Sequence, residues 1–178
     1  MQLAVETGVA GISIEDSSGN PVEPLFDLET AVGRIRAARR AIDAAGGEVL
    51  LVGRAECFLF DRPDLQETIA RLKAYARAGA DCLYAPGVRT RDQIAAVVDG
   101  VAPVPVNVLF GAASDMTLQD LAALGVRRVS VGGALARSAW GGFARSAKRL
   151  AEQGSFAGFA DAYPGAELDA FFHTVRHR

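Results

Sequence analysis

Two cysteines, two histidines and one tryptophan are the whole supply of those residues in 178 positions, and each scarcity excludes something. Cys57 and Cys82 have neither CxxC spacing nor further partners, which rules out a disulfide-built scaffold and a cysteine zinc site; buried free thiols are expected. His173 and His177 stand one helical turn apart in an Arg-containing tail without a third ligand, so a solvated end is expected there. Charge of one sign is also lacking: 19 basic and 21 acidic residues leave a net charge of −2, and neither nucleic acid nor an anionic membrane is an expected partner. The longest apolar runs, Val49–Gly53 and Val101–Ala113, are too short or too interrupted by Pro and Asn to cross a bilayer. Met1–Glu6 has no basic segment leading into an apolar one, so a cytoplasmic protein is the default.

What is present is an alternation. Short β-branched runs at Val9–Ile14, Val49–Val52, Cys82–Ala85, Val104–Leu109 and Arg128–Val131 are apolar on consecutive positions, the pattern of parallel strands buried on both faces. Helical spacing fills the gaps. Asp27–Ala45 carries Leu28, Val32, Ile35 and Ile42 on one stripe, with Arg39 interrupting it and Asp27 placed to cap. Arg62–Arg77 carries Leu65, Ile69, Leu72 and Ala76, with Pro63 in the first turn. Thr90 and Thr117 are placed to cap two further helices, and a last amphipathic helix spans about Ala136–Gln153, ending before Gly154. Gly8, Gly79 and Gly125 each close a helix just before a strand, as αβ turns require. Repeated βα units imply a parallel sheet with right-handed crossovers, and both an open doubly wound sheet and a closed eight-stranded barrel satisfy the pattern. Residues 1–153 read as that repeat and 154–178 as a C-terminal tail.

In parallel α/β proteins chemistry collects where strands end and βα loops begin. The first strand runs into Glu15-Asp16, the second into Arg54-Ala55-Glu56, and the fourth carries Asn107 inside an apolar run; the fifth ends at Gly132-Gly133. Carboxylates, a guanidinium and an amide at one end of a sheet suit a hard cation and an anionic substrate. The alternative is a ring of salt bridges at the sheet's rim, an even prospect for any one residue. The Gly pair offers backbone N–H groups to an anion, or simply a tight turn, the weightier reading.

These segments, with Gly8–Asp16, Ala78–Gly87, Pro105–Leu109 and Gly125–Gly133, resemble the isocitrate lyase/phosphoenolpyruvate mutase superfamily in order and spacing. The resemblance implies a parallel (β/α)8 TIM-type barrel, an α/β fold of which this chain holds about the last five βα units, its beginning lacking. It implies a Mg²⁺-dependent lyase acting on small 2-oxo or 2-hydroxy carboxylates, breaking C–C or P–C bonds through a pyruvate-type enolate. By the same resemblance Glu15 reaches the metal directly or through water, with Asp16 a second candidate. Arg54 binds substrate carboxylate or enolate charge, Glu56 orients Arg54, Asn107 faces the substrate, and Gly132 stands with the substrate-binding group. A homo-oligomer is implied for a full-length form. Phe156, Phe159, Leu168, Phe171 and Phe172 offer apolar surface for such a contact, or for the chain's own barrel bottom. Two departures stand out. The segment Ser17–Leu25 has no Lys, Cys or His where the family's lyases and mutases carry such a residue, so an oxaloacetate decarboxylase-like or other lyase activity on an oxo-acid is the expectation. The strands with the paired metal-binding aspartates have no counterpart, so the alternative is a non-catalytic or inactive barrel fragment.

Overall fold

In the computed structural model, which describes residues 1–46, 48–60 and 63–175, backbone pairing begins only where two strands run side by side. The elements are α1 (Gln2–Val5), β1 (Gly11–Glu15), α2 (Leu28–Ala44), β2 (Leu50–Arg54), α3 (Leu65–Arg77), β3 (Cys82–Tyr84), α4 (Arg91–Val101), β4 (Val106–Leu109), α5 (Leu118–Ala123), β5 (Arg128–Ser130), α6 (Ala134–Gln153) and α7 (Gly165–Val175). The chain divides into two compact units, residues 1–132 and 133–178.

In the first unit the five strands are all parallel and lie in chain order, β1-β2-β3-β4-β5. That order decides between the two architectures left open by the sequence. A doubly wound sheet reverses direction at a switch point and covers both faces with helices. Here the order never reverses, and right-handed crossovers then carry every helix to the same face. Side-chain burial agrees: Leu51, Leu83, Val106 and Val108 join one large core with Ile35, Ile42, Leu72, Ile94 and Leu121 from the helices. On the opposite face Val52, Cys82 and Tyr84 form a separate small cluster with Leu109. This is a run of βα units of barrel type, with an outer helix-covered face and an inner one.

The expectation of strands buried on both faces holds for β3, in which every residue is buried, and fails for β1. Along β1, Gly11, Ser13 and Glu15 are exposed while Ile12 and Ile14 are half-buried, because β1 is an edge of the sheet and has a strand on one side only. Three strands also start later than their apolar runs, β2 by one residue and β1 and β4 by two. Val9 is 40% exposed, and β1 begins only opposite Leu50. Pro105, lacking an N–H, delays β4 until Val106.

Helix starts follow their caps. Asp27 accepts from the Thr30 N–H, Asp64 from Glu67, and Thr90 and Thr117 each close a capping box with Gln93 and Asp120. Asp64 therefore starts α3 two residues after Pro63's position would, and Arg62 lies outside the described residues. The Arg39 that interrupts the α2 stripe bonds Asp43 at 2.8 Å and Asp81 at 3.0 Å, and Asp81 also takes the Leu51 N–H at 2.7 Å. In the αβ turn below it, Gly79 has φ +104° and packs against the Arg39 stem, where a Cβ would come within 2.7 Å.

The second unit holds α6, a 3₁₀ turn at Phe156–Phe159 and α7. Gly154, at φ +60°, ends α6 as expected, and the Ser146 hydroxyl ties α6 to the turn through the Gly158 carbonyl at 2.7 Å. The tail from residue 154 thus contains a described helix. His173 lies in its last turn, and His177 lies outside the described residues. Among the described residues no helix is long and apolar enough to cross a membrane.

Candidate active site

The inner face carries one polar row. Strand register aligns Glu15 with Arg54, Arg54 with Tyr84, Tyr84 with Asn107, and Asn107 with Arg128. In parallel strands residues in register share a face, so five successive strands contribute one side chain each to the same row. Arg54 is its centre. Its Nε and Nη2 approach Glu56 Oε1 at 2.9 and 2.7 Å, and Nη2 approaches Glu15 Oε2 at 3.3 Å. The guanidinium also lies over the Tyr84 ring, 5.0 Å from its centroid.

The two carboxylates differ in setting. Glu56 is only 3% exposed, and burial pushes its pKa up; the Arg54 charge opposes that, while the negative charges of Glu15 and Asp16 add to it. The Glu15 side chain is 46% exposed. Burial also raises the Tyr84 phenol, again against the pull of Arg54.

Asp16 faces the other way. At 1% exposure its Oδ1 accepts the Glu56 N–H at 2.9 Å, and its Oδ2 accepts Tyr75 Oη–H at 2.6 Å and Arg71 Nη1–H at 3.1 Å. Both oxygens are engaged within the protein. Asn107 is likewise enclosed, at 1% exposure: its amide donates to Ser130 Oγ at 3.1 Å and accepts from Arg128 at 3.0 Å. Gly132 ends the strand region at φ +52° beside the Leu109 side chain. Glu15, Arg54 and Glu56 are therefore one contact group, Asp16 supports it from behind, Asn107 belongs to the same row two strands away, and Gly132 lies apart from that group, beyond the end of β5.

Arg71, Tyr75 and Arg128 were not singled out by the sequence reading. Glu67, Arg71 and Tyr75 at one-turn spacing along α3 were the available signal for the first two. Arg128, two residues before Ser130 on one strand face, was the signal for the third. Cys57 and Cys82 are free and buried, as expected, and burial raises both thiols.

A cavity of about 420 Å³ opens on the inner face, lined by Ser13, Val52, Arg54, Cys82, Tyr84 and Arg128 among others. A larger groove, about 610 Å³, lies within the second unit between α6 and the 3₁₀ turn and shares none of these groups. For a metal, Glu15 is the exposed carboxylate, and Mg²⁺ is commonly held by one or two carboxylates with several waters. Glu15 fits as one such donor, while Asp16 has both oxygens taken. Among the described residues no three His, Cys, Asp or Glu side chains gather into a ligand set.

Consecutive parallel βα units with an arginine–carboxylate cluster at the strand ends define an α/β protein of barrel type. Residues 1–151 match the family described as phosphoenolpyruvate phosphomutase, and the chain belongs to that family. It is 35% identical over 130 residues to an oxaloacetate decarboxylase of Paraburkholderia xenovorans (strain LB400), covering 68% of this chain and 40% of that protein. Among solved structures, a "putative lyase/mutase" from Burkholderia cenocepacia J2315 is 46% identical with a TM-score of 0.92, covering 96% of this chain and 62% of that one. A 2,3-dimethylmalate lyase, a PEP mutase/isocitrate lyase superfamily member, shares the fold at 24% identity and a TM-score of 0.78, over 97% of this chain and 62% of that one. The chain spans less than half the length of the curated relatives it matches.

Proposed function

We propose that this chain carries the Arg54-centred part of a lyase site acting on small 2-oxo carboxylates, with oxaloacetate the first candidate. The observation that carries this reading is the guanidinium held at a strand end between an exposed and a buried carboxylate on an open inner face. An arginine so fixed presents its remaining N–H groups in a set direction, suited to a substrate carboxylate or to the negative oxygen of an enolate. In oxaloacetate decarboxylation the C3–C4 bond breaks, CO₂ leaves, and its electron pair becomes the pyruvate enolate, which a proton at C3 converts to pyruvate. Arg54 would bind and stabilise that anion, and Glu56 would hold Arg54 in place. Asn107, on the same row, would shape the inner wall. Gly132, just beyond the fifth strand, would lie on the substrate side. Glu15 would hold Mg²⁺, directly or through water, and the ion would supply Lewis-acid polarisation of the oxo group. Ser17–Leu25 holds no Lys, Cys or His, and its one titratable side chain is Glu23, which favours decarboxylation over reactions that need a cationic acid or a thiol from that segment.

A second reading, a folded chain that binds but does not turn over, is favoured by one observation: Glu15 stands exposed on an edge strand, and among the described residues no three candidate ligands gather around it. One experiment separates the two. Pyruvate release from oxaloacetate is followed with and without added Mg²⁺, for the 178-residue chain and for Arg54→Gln. Metal-dependent release abolished by Arg54→Gln supports the lyase reading; release at the uncatalysed rate by both proteins sinks it for this chain.

A further inference from the structure

We propose that Asp16, seated on Arg71 and Tyr75, is the positioning residue that sets both carboxylate partners of Arg54; the catalytic consequence rests on the reading above. The geometry connects one buried carboxylate to each arm of the cluster. Through Oδ1 it accepts the Glu56 N–H at 2.9 Å and so fixes the end of β2 from which the Glu56 side chain grips Arg54. Through its place in the chain it also fixes Glu15. Adjacent residues of an extended strand point to opposite faces, so drawing Asp16 toward α3 turns Glu15 to the inner side, where Arg54 lies in register.

The seat is itself held by several hydrogen bonds. Arg71 reaches Asp16 and the Phe26 carbonyl with the same Nη1, at 3.1 and 3.0 Å, and is held by Glu67 through Nε at 3.0 Å. Phe26 in turn donates its N–H to the Asp16 carbonyl at 2.8 Å, and Ser17 bridges to Leu25. Both ends of the Ser17–Leu25 segment therefore return to Asp16. Burial, then the neighbouring Asp16 charge, pushes the Tyr75 phenol above its ordinary pKa, so it stays a donor. Arg71 keeps its proton although burial opposes it, because Tyr75, Glu67 and Asp16 outweigh that cost. Three donors engage both oxygens of a carboxylate that has 1% exposure, and Asp16 is thereby enclosed away from the inner face.

Asp16→Asn tests this without requiring turnover. An amide in the same place must aim N–H groups either at Tyr75 and Arg71 or at the Glu56 N–H, so one set of donors loses its acceptor. The measurement is solvent exchange of the Arg54 Nε–H by NMR in the 178-residue chain, the signal assigned by its loss in Arg54→Lys. Asp16→Asn is expected to speed that exchange at least tenfold while the Leu83 backbone amide, deep in β3, keeps its protection; Tyr75→Phe should fall between. Unchanged Arg54 exchange in Asp16→Asn, with only a lowered melting temperature, overturns the proposal. If Asp16→Asn does not fold, Tyr75→Phe decides by the same criterion. Oxalate titration of the unsubstituted chain stands apart: failure to bind sinks the oxo-acid reading and leaves the exchange result to judge Asp16.

Discussion

Arg54 and Glu56, two residues apart at the end of β2, are joined by two guanidinium nitrogens on one carboxylate oxygen, at 2.9 and 2.7 Å. The backbone turn after the strand brings them together, and a buried acid and a guanidinium neutralise each other there. Removing the cation while leaving the acid should cost about 3 kcal/mol, the usual order for breaking an enclosed pair. Arg54→Gln is expected to lower unfolding free energy by that amount in urea, and the double variant with Glu56→Gln should recover most of it. A double variant no more stable than Arg54→Gln would show that the pair is not what the loss reports.

Glu56 also gives the protein a pH signature. Its folded pKa lies above the unfolded value, so between the two the folded state binds the proton more strongly and stability falls as pH rises. The contribution is fully present below the unfolded glutamate pKa, about 4.3, and is lost as pH rises through the folded value. Glu56→Gln should flatten this component. Unfolding free energies of the two proteins compared from about pH 4 upward check it, and parallel curves would contradict the raised pKa.

Gly53 sits on the helix-facing side of β2, where an added Cβ would lie 2.9 Å from Tyr75 Cβ and 3.2 Å from Ala80 Cβ. Gly53→Ala is therefore expected to destabilise by about 1–3 kcal/mol through overpacking. Because it presses on Tyr75, it should also speed Arg54 Nε–H exchange. Thermal melting and the exchange measurement together test both parts.

Asn107 spends both ends of its amide on β5. Asn107→Leu leaves the Ser130 and Arg128 groups without that partner, with an expected loss of about 1–3 kcal/mol. Asn107→Asp retains an acceptor for Arg128 and should lose less. Equal losses for the two substitutions would remove Arg128 from the account.

Much of the fold was legible along the chain because its signals are local. Caps at Asp27, Thr90 and Thr117 and the glycines ahead of β1, β3 and β5 work within one turn of the backbone. Glu15, Arg54 and Glu56 were legible for a related reason: charged groups directly after apolar strands stand out. Asp16 was read as a candidate metal donor because adjacent carboxylates look alike in sequence. Its partners lie far along the chain on α3, where the Glu67, Arg71, Tyr75 spacing marks a second helix face beside the apolar stripe but does not say which strand end that face meets.

Residue order by itself determined that there would be five strands with intervening helices, because periodicity, capping and turn chemistry act over a few residues. Only the tertiary structure decided that the strands pair in chain order, that Glu15 and Asp16 turn to opposite faces, and that one polar row crosses all five strands. Register is set by which backbone groups meet across the sheet, and a shift of one residue would send every side chain in that row to the other face.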